Sequence, residues 1–185
     1  MSRKKKENVN YVDNAEFLRA IIEYRKQCKA AKSAGNPKPR MPDYLGDCIM
    51  KIAENRSHEP CFARYTYRDE MVADAIENCL LYFDNYNPKK TSNPFAYFSQ
   101  ITFYAFVRKI KKEKKQLYKK YKLAEQMCVL GEMENSEDDD RGQQVELYDN
   151  IKEFIGTYEE AKLAKSLKKK TKEAEEKSKK KKVNG

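Results

Sequence analysis

Six aromatic side chains fall within twelve residues, Phe95, Tyr97, Phe98, Phe103, Tyr104 and Phe106, and a run of cations begins two residues later at Arg108. From Arg108 to Lys122 there are nine Lys or Arg against one Glu, a net of +8. Aromatic rings on a helix surface stack on unpaired bases, at about 1–3 kcal/mol per base. Ammonium and guanidinium groups pair with phosphates and supply affinity that does not depend on sequence. Around a 3.6-residue period the six rings point in every direction, so a single buried face cannot absorb them all. Phe98, Ile101 and Ala105, with Thr102 beside them, form a plausible core stripe, while Tyr97 and Tyr104, seven residues apart, share another face. The candidate nucleic-acid contacts are therefore Tyr97, Phe98, Phe103, Tyr104, Arg108, Lys109, Lys111 and Lys112. A solvated basic helix with one or two tyrosines packed on a core explains either half of this pattern. The succession of both halves along one helix favours nucleic acid.

Other chemistries find less support. His58, the only histidine, lies three residues before Cys61, and no further nitrogen or sulfur ligand stands at usable spacing, so no metal is expected. The five cysteines, Cys28, Cys48, Cys61, Cys79 and Cys128, are scattered without a Cys-x-x-Cys pair, which fits a reducing cytosol rather than a disulfide framework. Six glycines leave little room for a phosphate-cradling loop, and no Ser or Cys sits in a nucleophile-elbow context. The densest carboxylate cluster, Glu137-Asp138-Asp139-Asp140, lies in a polar stretch and reads as a solvated loop. Neither an enzyme nor a cofactor is expected. No apolar run approaches the roughly 18 residues that span a bilayer, and no apolar stretch follows the basic start Ser2–Lys6, so neither a membrane span nor a secretory signal is expected.

The elements that must position the aromatic-basic helix read as helical nearly throughout, giving an all-α fold. Asp13-Asn14-Ala15-Glu16 has the form of a capping box, followed by Leu18, Ile21, Ile22, Arg25 and Cys28 at helical spacing. Gly35, Pro37, Pro39 and Pro42 break the chain; Asp43 is positioned to cap a second helix with the apolar stripe Leu45, Cys48, Ile49, Ile52 and Ala53. Thr66 is positioned to cap a third, whose Met71, Val72, Ala75, Ile76, Cys79, Leu80 and Phe83 repeat at three and four. After the Asn/Pro turn 85–92, Asn93 caps and Pro94 opens the long fourth helix. Residues 1–10 form a basic arm, 11–128 the helical domain, 129–160 an acidic linker with one short helix around Val145–Ile155, and 161–185 a lysine-rich, largely flexible tail. That tail holds eleven Lys against three Glu, too little apolar area to offset the entropy of ordering it.

Within this frame the stretch Tyr67 to Ile110 resembles region 2 of the sigma factors of bacterial RNA polymerase. Tyr86-Asn87-Pro88-Lys89-Lys90 is similar to the family's Phe-Asp-Pro-x-Arg-Gly turn. Tyr97 falls where an aromatic of the Phe-Ser-Thr-Tyr-Ala motif belongs, and Ala105-Phe106-Val107-Arg108-Lys109-Ile110 is similar to Ala-Ile-x-Arg-x-Ile. The three anchors align without a gap. Asn10-Tyr11-Val12, Glu70–Asp74, Asn93–Tyr97 and Arg108–Glu113 further resemble the late-transcription sigma factors of T-even-type bacteriophages, over about Val9 to Lys122.

The resemblance implies a compact region 2-like domain that docks on the β′ clamp helices of the host core polymerase through Glu70, Ala73, Asp74 and Glu77. It implies that the fourth helix recognises and melts a −10-like promoter element, with Tyr97 holding the flipped non-template adenine. Implied partners are the host core, promoter DNA with its melted strand, a phage co-activator and the sliding clamp, for a protein monomeric when free, in the cytoplasm of an infected bacterium. The sequence departs from the pattern in three places. The paired tryptophans of housekeeping sigma factors fall on Gln100 and Ile101, and their Gln and Thr base readers fall on Tyr104 and Val107, so promoter preference does not transfer and Phe98, Phe103 or Tyr104 stands as the melting wedge. No region 4-like helix-turn-helix fits 125–185. The chain closes Lys179-Lys180-Lys181-Lys182-Val183-Asn184-Gly185, where the family has the hydrophobic-acidic segment that binds the clamp. A polymerase-independent single-stranded or architectural DNA-binding protein is the competing expectation.

Overall fold

The computed structural model describes residues 11–127 and 141–183, and no strand occurs among them. Its elements are α1 (Asn14–Ser33), α2 (Asp43–Ser57), α3 (Arg68–Leu81), a 3-10 turn (Phe83–Asn85), α4 (Pro94–Gln126) and α5 (Arg141–Val183). The fold is all-α, as the sequence periodicity predicts. The basic arm 1–10, Cys128 and the carboxylate cluster at 137–140 lie outside the described residues. The chain forms two compact units, Met1–Lys111 and Lys112–Gly185, with the division inside α4. The sequence expectation carries the helical domain to residue 128. Among the described residues no helix is long and apolar enough to cross a membrane.

In the first unit, helix starts are set by side-chain acceptors. Asp13 Oδ1 accepts the Ala15 and Glu16 amides at 2.8 and 3.1 Å, and Val12 and Phe17, flanking that cap, bury together as a hydrophobic staple. Asn93 Oδ1 accepts the Ala96 amide at 2.9 Å, and Asn14 Oδ1 takes the Phe95 amide at 3.2 Å, so the start of α4 is capped from two elements. Helix α1 ends in a Schellman turn: Gly35, at φ 71°, donates to the Lys32 carbonyl and Asn36 donates to that of Ala31.

Two expected caps are corrected. Asp43 is the first residue of α2 rather than its cap, which is Pro42; its carboxylate faces Arg40 at 3.5 Å and sits where the helix dipole favours an acid. Thr66 does not cap α3, whose N-cap is Tyr67, because the preceding loop closes on its own backbone, Arg68 N–H donating to the Tyr65 carbonyl at 3.2 Å.

The α2 stripe is buried as expected, at Leu45, Cys48, Ile49, Ile52 and Ala53. The α1 stripe is rotated from its expected phase: Phe17, Ile21 and Tyr24 bury, and Ile22 turns to the surface. On α3, Met71, Ala75 and Cys79 line the core at intervals of four, while Leu80 is 47% exposed, because seven apolar positions cover a wider arc than one groove accepts. Phe98 is the hub, with its ring 5.5 Å from Phe17 and 5.7 Å from Phe83. A second cluster joins Ala53, Phe62, Met71, Ala75, Ala105 and Phe106. Full burial of side chains as large as Phe98, Met71 and Phe106 stabilises by about 1.5–3 kcal/mol each. The buried Thr102 hydroxyl donates back to the Phe98 carbonyl at 2.9 Å, so it enters the core without an unmet hydrogen bond.

The second unit is smaller in its burial. Ile151 and Ile155 of α5 pack with Tyr118, Tyr121 and Ala124 of α4. The Tyr118 ring stacks on Tyr158 at 4.4 Å and its hydroxyl donates to Glu159 Oε1 at 2.8 Å. Helix α5 then runs on to Val183, where the sequence predicts one short helix followed by a tail. From Ala161 to Thr171 every side chain is exposed. Over residues 161–171 the lysine-rich stretch is thus a tail in the sense that its side chains face solvent, and its Lys, Ala and Leu content favours the helical backbone.

Candidate nucleic-acid interface

Helix α4 presents its expected contacts in three different environments. Phe98 is fully buried and is corrected from candidate to core: a ring enclosed by Phe17, Phe83 and Tyr86 cannot meet a base. Tyr97 is half-buried, its ring 5.2 Å from both Tyr86 and Phe98, and its hydroxyl donates to the Tyr82 carbonyl at 3.0 Å. That burial raises the phenol above its ordinary pKa. Tyr86, in turn, is buried and donates to the Thr91 carbonyl at 2.6 Å, so Tyr97 rests on a ring that is itself fixed.

Phe103 and Tyr104 lie further along and outward. Phe103 is 36% exposed, with one edge against Phe62 at 5.9 Å and the Arg56 guanidinium 5.3 Å from its ring centroid. Arg56 also pairs with Glu59 at 3.3 Å, and its buried Nε has no hydrogen-bond partner among the described residues. The cation–π contact therefore carries part of what holds the guanidinium in place. Tyr104 is the freest ring, 51% exposed and 5.7 Å from Phe103.

The cations divide just as sharply. Arg108 donates to Asn78 Oδ1 at 2.7 Å. Lys109 is drawn against α3, its ammonium 2.6 Å from Glu70 Oε2 and 4.0 Å from Asp74 Oδ2, with only 10% of its side chain exposed. It is corrected from a free phosphate contact to an internal ion pair. Lys111 and Lys112 are exposed and make no ion pair among the described residues. Glu70, Ala73, Asp74 and Glu77 lie on the outer side of α3, away from Met71, Ala75 and Cys79. The structure brings this acidic row and the basic stretch of α4 together through Lys109.

Arg56 and Tyr86 were not singled out as site residues by the sequence. Arg56 carries no local signal, because it meets Phe103 only through packing of α2 on α4. Tyr86 sits in a turn, where an aromatic gives no periodicity to read. No protein-family model matches the chain, and no curated protein matches it.

Proposed function

We propose that the chain is a sigma factor for phage late genes, which binds the host core polymerase and recognises and melts a −10-like promoter element. The observation that carries this reading is the surface of α4. Tyr104 is the most exposed of its aromatics, one turn ahead of Arg108, with the exposed Lys111 and Lys112 beyond it, on a helix whose opposite side is locked into the core. A rigid helix with an exposed ring ahead of exposed cations suits a strand whose bases are unstacked while its phosphates are held.

In this reading Glu70, Ala73, Asp74 and Glu77 dock on the β′ clamp helices, and Tyr97 takes the extruded non-template base. Tyr97 is held by Tyr86 and by the Tyr82 carbonyl before any strand arrives, which lowers the ordering cost of capture. With Phe98 in the core, Phe103 and Tyr104 remain for the melting wedge. No chemistry of the protein's own is involved.

The test is reconstituted initiation. Purified protein is added to host core polymerase on a supercoiled template with a late-type promoter lacking a −35 element, with and without phage co-activators. Initiated transcripts, and permanganate-reactive thymines over the −10 region, are expected. Absence of transcript in every arm rejects the proposal. Tyr97→Ala is expected to reduce open-complex formation more than duplex binding, and equal loss in both rejects base capture.

A further inference from the structure

A second cationic surface lies in the first unit, on the C-terminal half of α1. Two depressions open there. One, of about 450 Å³, is lined by Ile22, Arg25, Lys26, Lys29 and the turn residues Asn87, Pro88 and Lys89. The other, of about 510 Å³, is lined by Lys29, Lys32, Lys38 and Asp84, among others. Lys29 lines both, so the two adjoin along one side of the helix.

Its charge is unbalanced. Lys26, Lys29, Lys32 and Lys89 make no ion pair among the described residues. The carboxylate that lines it, Asp84, is held by Lys38 at 2.8 Å, while Arg25 reaches the Asp84 carbonyl. Arg25, Lys29 and Lys32 stand at intervals of four and three, on one side of the helix. At 1.5 Å rise per residue they cover about 10 Å. The far wall is firm: Asn87 Oδ1 accepts the Lys89 amide at 3.0 Å, and the Asn87 carbonyl accepts the Lys90 and Thr91 amides. Ile22 and Pro88 give the first depression an apolar patch.

We propose that this track holds the sugar–phosphate backbone of a single-stranded nucleic acid, at a site separate from the aromatic face of α4. The cations take phosphates, and the apolar patch takes a base face that a duplex keeps stacked inside. The pairing of an apolar patch with a row of cations thus favours a single strand, which offers bare base faces beside its phosphates, over a duplex. The inference does not rest on the sigma-factor reading, since it concerns the free chain and a strand alone.

Lysine acetylation footprinting of the full chain tests it, with a twelve-residue thymidine oligonucleotide, its uridine counterpart, a duplex of equal length and a polyglutamate peptide as separate probes. Protection of Lys29 and Lys89 by a single strand, at least threefold above that of the exposed Lys51, is expected; the thymidine and uridine arms distinguish DNA from RNA. Lys26→Glu/Lys29→Glu is expected to weaken binding about tenfold more than the charge-matched Lys51→Glu/Arg64→Glu. Unchanged acetylation at Lys29 and Lys89 under saturating oligonucleotide overturns the proposal, as does equal loss in the two variants. Equal protection by the duplex overturns the single-strand assignment, and protection by polyglutamate alone transfers the surface to an acidic protein. The footprint uses the unmutated chain, so it decides the matter even where a variant folds poorly. Transcription from the late-type promoter is scored separately, and its failure leaves this footprint unaffected.

Discussion

Residues 108–122 and residues 161–185 carry the same net charge of +8, yet the structure treats them differently. The first begins directly after Phe98, Thr102, Ala105 and Phe106, four buried positions of the first unit that fix where Arg108 and Lys111 emerge. The second rides on a helix whose side chains from Ala161 to Thr171 are all exposed. Charge gives both regions an attraction for polyanions, but only the first opens with cations, Arg108 and Lys111, that share a unit with packed aromatic rings. Placement by a core, rather than the count of lysines, is what separates the two regions.

Removing the hub of that core is the largest break in the comparison. Phe98→Ala is expected to cost the first unit about 3–5 kcal/mol in urea denaturation. Leu167→Ala, in the exposed stretch, is expected to change stability by less than about 0.5 kcal/mol. A comparable loss from both would mean that the lysine-rich helix is packed in solution.

The core also predicts an alkaline weakness. Burial pushes the Cys79 thiol up to about 11, from an ordinary 9.0. The folded state therefore holds this proton more tightly than the unfolded chain does. Its contribution is fully present below about pH 9 and is lost as pH rises through 11. Holding the proton that much more tightly is equivalent to a few kcal/mol at most. Denaturation of the parent and of Cys79→Ala at pH 8 and pH 10.5 checks this, since the variant lacks that component of the fall. An identical pH dependence in both proteins rejects the assignment.

How far these features could be read from sequence depends on where their causes lie. The α2 stripe and the Asn93-Pro94 start of α4 were legible because spacing and capping are local. The α1 stripe was misphased because Phe17 and Tyr24 are chosen by what faces them, the rings of Phe98 and Phe83. Phe98 itself satisfied both the core pattern and the aromatic pattern, and only burial separates the two. Lys109 was indistinguishable from Lys111 in a run of like charges. Its partners Glu70 and Asp74 lie more than thirty residues away, so the pairing is a property of the α3–α4 packing.

A middle-sized effect belongs to the exposed ring. Tyr104→Ala is expected to weaken binding of a single-stranded oligonucleotide by about 1–3 kcal/mol, without lowering the stability of the first unit. Lys165→Gln/Lys168→Gln in α5 is expected to flatten the salt dependence instead, with no loss of any stacking contribution that survives at high salt. If Tyr104→Ala loses affinity only in proportion to salt, its ring does not stack, and the two regions act alike.

The smallest effect is the most discriminating, because it compares two lysines two residues apart on one helix. Lys111 is exposed and without an ion pair among the described residues, so Lys111→Gln is expected to reduce the slope of log affinity against log salt by about 0.7 for a single strand. The Lys109 ammonium is already neutralised by Glu70 at 2.6 Å and enclosed, so Lys109→Gln is expected to leave that slope nearly unchanged. Its cost falls elsewhere, as at most about 1 kcal/mol of stability, since both carboxylates remain in contact with water. Equal slopes for the two variants would mean that Lys109 leaves α3 when the strand binds. The acidic row and the basic helix would then exchange a cation between them, and occupancy of one face would alter the other.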